Sequence, residues 1–202
     1  MMPPRGAQQL AQSIDLVMGA VSGAPVDQYQ DPTPCSEFTV KDLVNHIAMM
    51  LLMTRNVGTH TEEDPSLLTA NPVPFLAGQP DSEWAHLLAG KAEPAAGAWS
   101  EPTAWKGEAS LGGPPMAATA LGGILIAEFA VHAWDIAVAT GQSIDIPESL
   151  AKATFDTYTR EAPRMRGLGL LGEEVPQDAH AGLFDRALAL SGRDPGWSRP
   201  AQ

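Results

Sequence analysis

Residues 121–141 read LGGILIAEFAVHAWDIAVATG, and this stretch decides the fold. It is almost wholly apolar and is interrupted by Glu128, His132 and Asp135. Its length fits a buried helix closed by Gly141. On a helix, Glu128 and His132 lie four residues apart, on one face and one turn from each other. A carboxylate in apolar surroundings is costly unless it is paired or bound to a metal. The rest of the chain is therefore read for a partner.

Upstream, residues 39–58 read TVKDLVNHIAMMLLMTRNVG. Thr39 is a good N-cap, and Asp42 stands where a capping box has its acid. Val40, Leu43, Val44, Ile47, Met50 and Leu51 form one apolar stripe, with His46 and Met53 at its edge. A third helical pattern covers 5–21, with Leu10, Ile14, Val17, Met18 and Val21 in phase and Gly23 and Pro25 as stops. A fourth begins at Asp81 and is expected to kink or shorten at Pro94. Glu148–Met165 and Asp178–Ser191 read as two further helices. Residues 100–115 have turn signals around a short alternating middle, which predicts a small hairpin or an extended crossover. Residues 59–80 form a long loop of the kind that serves as a lid or binding segment. The expected fold is all-α: a four-helix bundle with short extra helices, as one domain over 1–202.

Composition narrows the function. The 202 residues carry 12 Lys and Arg against 24 Asp and Glu, a net charge of −12. That excludes nucleic acid and anionic membrane surfaces as expected partners. The single cysteine, Cys35, cannot form an internal disulfide, and the first residues lack the apolar core of a signal peptide, so a cytoplasmic protein is expected. A homodimer is left open. No P-loop, dinucleotide fingerprint or serine-hydrolase elbow is present.

His46, Glu128 and His132 are the candidate metal ligands. Bundles commonly build metal sites from inward side chains on neighbouring helices. Two imidazoles and a carboxylate suit zinc, iron or nickel, and three protein ligands leave a position for water or substrate. The spacing alone is a weak signal and also fits a hydrogen-bonded Glu–His pair, or a pair opening to a surface groove, without metal. Asp135 either orients His132 or pairs with another donor. Trp134 is packing or a pocket wall. Cys35 is either a nucleophile favoured by the following helix N-terminus or a small residue in a turn. His60, His86 and His180 have no partner pattern, and Glu62, Glu63 and Asp64 read as a solvated run.

Three blocks carry a family resemblance: PTPCSEFTVKDLVNHIAMM (32–50), AEFAVHAWDIAVATGQ (127–142) and FDRALALSGRDPGW (184–197). Together they resemble the DinB-like metal-binding superfamily, and more closely its actinobacterial branch related to mycothiol-dependent maleylpyruvate isomerase. The resemblance implies a four-helix bundle. It also implies His46, Glu128 and His132 as ligands of a divalent metal, zinc ahead of nickel or iron. It implies mycothiol as a thiol cofactor and transfer or isomerisation of a small electrophilic substrate. Phe38 stands where relatives usually have Trp. The alternative is a non-catalytic metal-binding scaffold or sensor.

Overall fold

The computed structural model describes residues 4–61, 67 and 74–200. Six α-helices make the fold: α1 (Arg5–Gly23), α2 (Val40–Gly58), α3 (Trp84–Ala98), α4 (Ala118–Ala139), α5 (Glu148–Gly167) and α6 (Leu183–Leu190). In the four-helix bundle, α1 lies between α4 and α3, α3 packs on α2, and α2 meets α4 sparingly. The expected hairpin is small: β1 (Glu108–Ala109) pairs antiparallel with β2 (Met116–Ala117). Its second strand runs directly into α4.

The all-round apolarity of α4 has a packing cause. Leu121, Leu125, Phe129 and Ile136 face the bundle core. Ala127, Ala130, Val131 and Trp134 join a second apolar layer with Tyr158 and Met165 of α5 and Phe184 and Leu188 of α6. A helix sandwiched on both sides has no polar face to show. By length and composition it could cross a membrane, but 78% of its apolar window is buried inside the protein.

The start of α2 is fixed as the sequence predicts. The Thr39 N–H donates to Asp42 Oδ2 at 3.0 Å, and the Asp42 N–H donates to Thr39 Oγ1 at 3.2 Å. This capping box sets the helical phase that buries Val40, Leu43, Val44 and Ile47 completely and leaves His46 at the edge. α3 is not shortened at Pro94: after a single turn of tighter helix at Asp81–Glu83 it runs on to Ala98. Pro94 and Gly90 are both exposed. Water can therefore take the Gly90 carbonyl that the proline ring deprives of its partner. The expected helix at 178–191 begins only at Leu183, after turns.

Aromatic packing locks the bundle's far side. Trp99 Nε1 donates to Thr54 O and Trp105 Nε1 to Trp99 O, each at 2.8 Å, and the two rings meet edge to face. The Trp105 ring lies directly against Gly122 of α4, where a Cβ would clash with it. Gly122→Ala is therefore expected to destabilise the protein by about 1–3 kcal/mol through overpacking, even against its gain in helix propensity. Gly19→Ala meets nothing within 4 Å and should instead gain up to about 1 kcal/mol. Thermal melts of the two variants check the opposite signs.

Candidate metal centre

His46, Glu128 and His132 come together across the α2–α4 gap. His46 Nε2 lies 2.7 Å from Glu128 Oε1, and His132 Nε2 lies 3.1 Å from the same oxygen. The two imidazoles sit edge to face with centroids 5.2 Å apart. Phe38 packs on the outer side of His46 at 5.7 Å, the aromatic role expected of that position.

Behind these three lies a polar chain. His132 Nδ1 is 2.9 Å from Asp135 Oδ2, and Arg193 Nη2 donates to that same oxygen at 3.1 Å. Arg193 Nη1 donates to Ser191 O at 3.2 Å. Asp135 is fully buried, and its Oδ1 and Arg193 Nε have no hydrogen-bond partner among the described residues. Both alternatives for Asp135 thus hold at once: it orients His132 and pairs with a second donor. Trp134 packs against α5 and α6 and does not line the cleft.

The electrostatics follow from this geometry. Burial opposes the charge on Glu128, but His132 and His46 hold its carboxyl well below the usual range. Burial likewise opposes charge on His132, yet Glu128 and Asp135 raise its pKa to about 9. Asp135 is lowered, since Arg193 and His132 outweigh its desolvation.

A pH dependence results for the metal-free protein. A raised imidazole adds stability that is complete below its ordinary pKa and is lost as pH rises through the folded value. Between about pH 6.5 and about pH 9, metal-free protein is expected to lose roughly 1–3 kcal/mol. The depressed Glu128 and Asp135 add stability that is lost on the acid side instead. Melting curves across both ranges, for wild type and His132→Gln, check this: the alkaline loss should vanish in the variant.

The donor set fits a divalent cation. One ring nitrogen of each histidine and a Glu128 oxygen lie within 4.8 Å of one another. Asp135 takes the Nδ1–H of His132 and leaves Nε2 turned to Glu128, where it could meet a cation once its proton is displaced. Cys35, His132 and Asp135 also lie close enough to hold an ion. However, Arg193 already supplies the cation beside Asp135, so the first set is the better site.

The three donors open onto a cleft of about 450 Å³. Its walls take Cys35 and Glu37 from the segment before α2, Met49, Met50 and Met53 from α2, Ile124 from α4, and Tyr158 and Met165 from α5. Burial pushes the Cys35 thiol up to about 12, against the pull of Arg193, so it is protonated rather than a thiolate. Burial also raises the Tyr158 phenol and keeps it neutral. Sequence reasoning missed Arg193, Tyr158, Met165 and the 169–172 segment that edges the cleft. His60, His86 and His180 are exposed and lie outside it. Glu62, Glu63 and Asp64 and most of the expected lid fall outside the described residues.

An all-α bundle of four main helices, with α5 and α6 layered on α4, places the chain in the DinB-like class of folds. More narrowly, the chain belongs to the mycothiol maleylpyruvate isomerase N-terminal domain family, whose model matches residues 10–137. An uncharacterized protein of Mycobacterium tuberculosis, found in two strains, is 29% identical over 194 residues, covering 95% of this chain and 98% of the relative. The crystal structure of the mycothiol-dependent maleylpyruvate isomerase superposes with a TM-score of 0.62 at 16% identity, over 84% of this chain and 73% of that one. A histidine-to-alanine mutant of that enzyme matches equally.

Proposed function

We propose that this chain is a metal-dependent enzyme that uses a low-molecular-weight thiol, mycothiol, to transfer to or isomerise a small electrophile. The observation that carries this reading is that two imidazoles and a carboxylate converge at the wall of a cleft rather than in a closed core. A structural metal would be sealed by a fourth protein ligand, so the open cleft favours the enzyme over a scaffold or sensor. Membership of the isomerase family supports the choice of thiol.

His46, Glu128 and His132 would hold the metal, zinc ahead of nickel or iron. When bound, it would lower the pKa of a coordinated thiol so that the thiolate forms near neutral pH. Asp135 fixes the tautomer and direction of His132. Arg193 keeps Asp135 anionic inside the protein. The neutral Tyr158 phenol is a donor at the cleft for an oxygen on the bound electrophile. Tag-free protein loaded with zinc should turn over electrophiles only when mycothiol is present. Equal rates with and without metal, or no thiol binding by calorimetry, would overturn the reading.

A further inference from the structure

Helical phase divides the cleft at the metal ligands. Met49, Met50 and Met53 follow His46 at three, four and seven residues, on the same face of α2. They carry the wall about 10 Å along the helix axis. Ile124, one turn before Glu128, and Leu111 face the cleft with them. Leu170 edges it and is 64% exposed. The charged groups lie elsewhere: Asp135 and Arg193 sit behind His132, and Glu37 is exposed on the cleft wall.

The lysines and arginines can be accounted for completely. All 12 Lys and Arg of the chain fall among the described residues, because 1–3, 62–66, 68–73 and 201–202 contain none. Only Arg193 lines the cleft, and it is buried against Asp135 and the Ser191 carbonyl. Arg166, near the rim in sequence, spends its guanidinium on the Gly172 and Leu190 carbonyls. Among the side chains that line the cleft, no guanidinium or ammonium is therefore free to receive a carboxylate.

We propose that the methionine-lined limb is the electrophile subsite and selects neutral, apolar, conjugated carbonyl compounds over dicarboxylates and other anions. This rests on the thiol-dependent reading above. Methionine thioethers adapt to flat or branched apolar groups without a fixed shape, so the limb accepts a range of such compounds. The thiolate sulfur adds to the β-carbon, an S–C bond forms, and the C=C electron pair moves onto the carbonyl oxygen. The proton lost by the thiol ends on the α-carbon, which gives the conjugate. Rotation and expulsion of the thiolate before that protonation give the geometric isomer and return the thiol.

The test uses full-length zinc-loaded protein with 4-phenyl-3-buten-2-one and its ring para-carboxylate, which share one reacting alkene. Without thiol, calorimetry should show the neutral ketone binding about tenfold or more tightly than the carboxylate. Leu170→Arg, at an exposed position, should shift that preference about two- to fivefold towards the carboxylate. Equal or tighter binding of the carboxylate by wild type, or no binding of either compound, overturns the proposal. Adding mycothiol then separates the two readings. Selective binding without thiol-dependent turnover leaves the subsite standing and removes the activity, whereas turnover that favours the carboxylate does the reverse.

Discussion

Arg193→Ala is expected to destabilise the protein by about 3–5 kcal/mol, the largest loss of any single change at the site. Asp135 is fully buried, and Arg193 and His132 are its two charge partners. Truncating the guanidinium leaves that carboxylate with one of its two cations, in a place water does not reach. Two further consequences separate this from lost packing. His132 becomes the sole counter-charge to Asp135 and holds its protons more tightly, so zinc affinity should fall about 10- to 100-fold. Asp135→Asn should also lose affinity, yet the double variant should be less destabilised than the sum of the singles, because the buried charge is gone. Calorimetric zinc titrations and chemical denaturation of the four proteins of this cycle measure both. Additive losses, or an Arg193→Ala variant that binds zinc like wild type, would remove Arg193 from the site.

How far the centre is legible in sequence differs from residue to residue. Glu128 and His132 announce themselves because two polar groups interrupt a helix that is otherwise apolar. His46 is legible because the Thr39–Asp42 box fixes the phase of α2 and so tells which residue sits at the stripe's edge. Arg193 is not, since its partner lies 58 residues away and no local period links them. A hint existed in Asp135, a second acid in the apolar helix that required a cation, and GRDPGW offers one. The cleft walls from α5 and residues 169–172 depend on how the second apolar layer docks on α4, which is tertiary information. That Pro94 does not end α3 was hidden for a related reason: it depends on whether the carbonyl one turn back meets water or core, and here Gly90 is exposed.

His132→Ala is expected to abolish stoichiometric metal binding, and with it the stabilisation that the metal confers. A ligand that binds only the folded state stabilises by an amount set by its concentration over Kd, about 4 kcal/mol at a thousandfold excess. For a chain of this length that corresponds to about 8–16 °C in Tm. Zinc should raise the melting temperature of tag-free wild type by that order. It should do nothing for His132→Ala, and little for His46→Ala or Glu128→Gln. The variants differ instructively without metal. His132→Ala strips the carboxylates of Glu128 and Asp135 of a shared cation, so it should also be the least stable apoprotein of the three. Glu128→Gln keeps a side-chain oxygen between the imidazoles but not its charge, and should retain weak binding. His180→Ala, exposed and away from the cleft, should behave as wild type. Elemental analysis and melts with and without zinc decide the matter, because a His132→Ala protein that still carries one metal would move the site elsewhere.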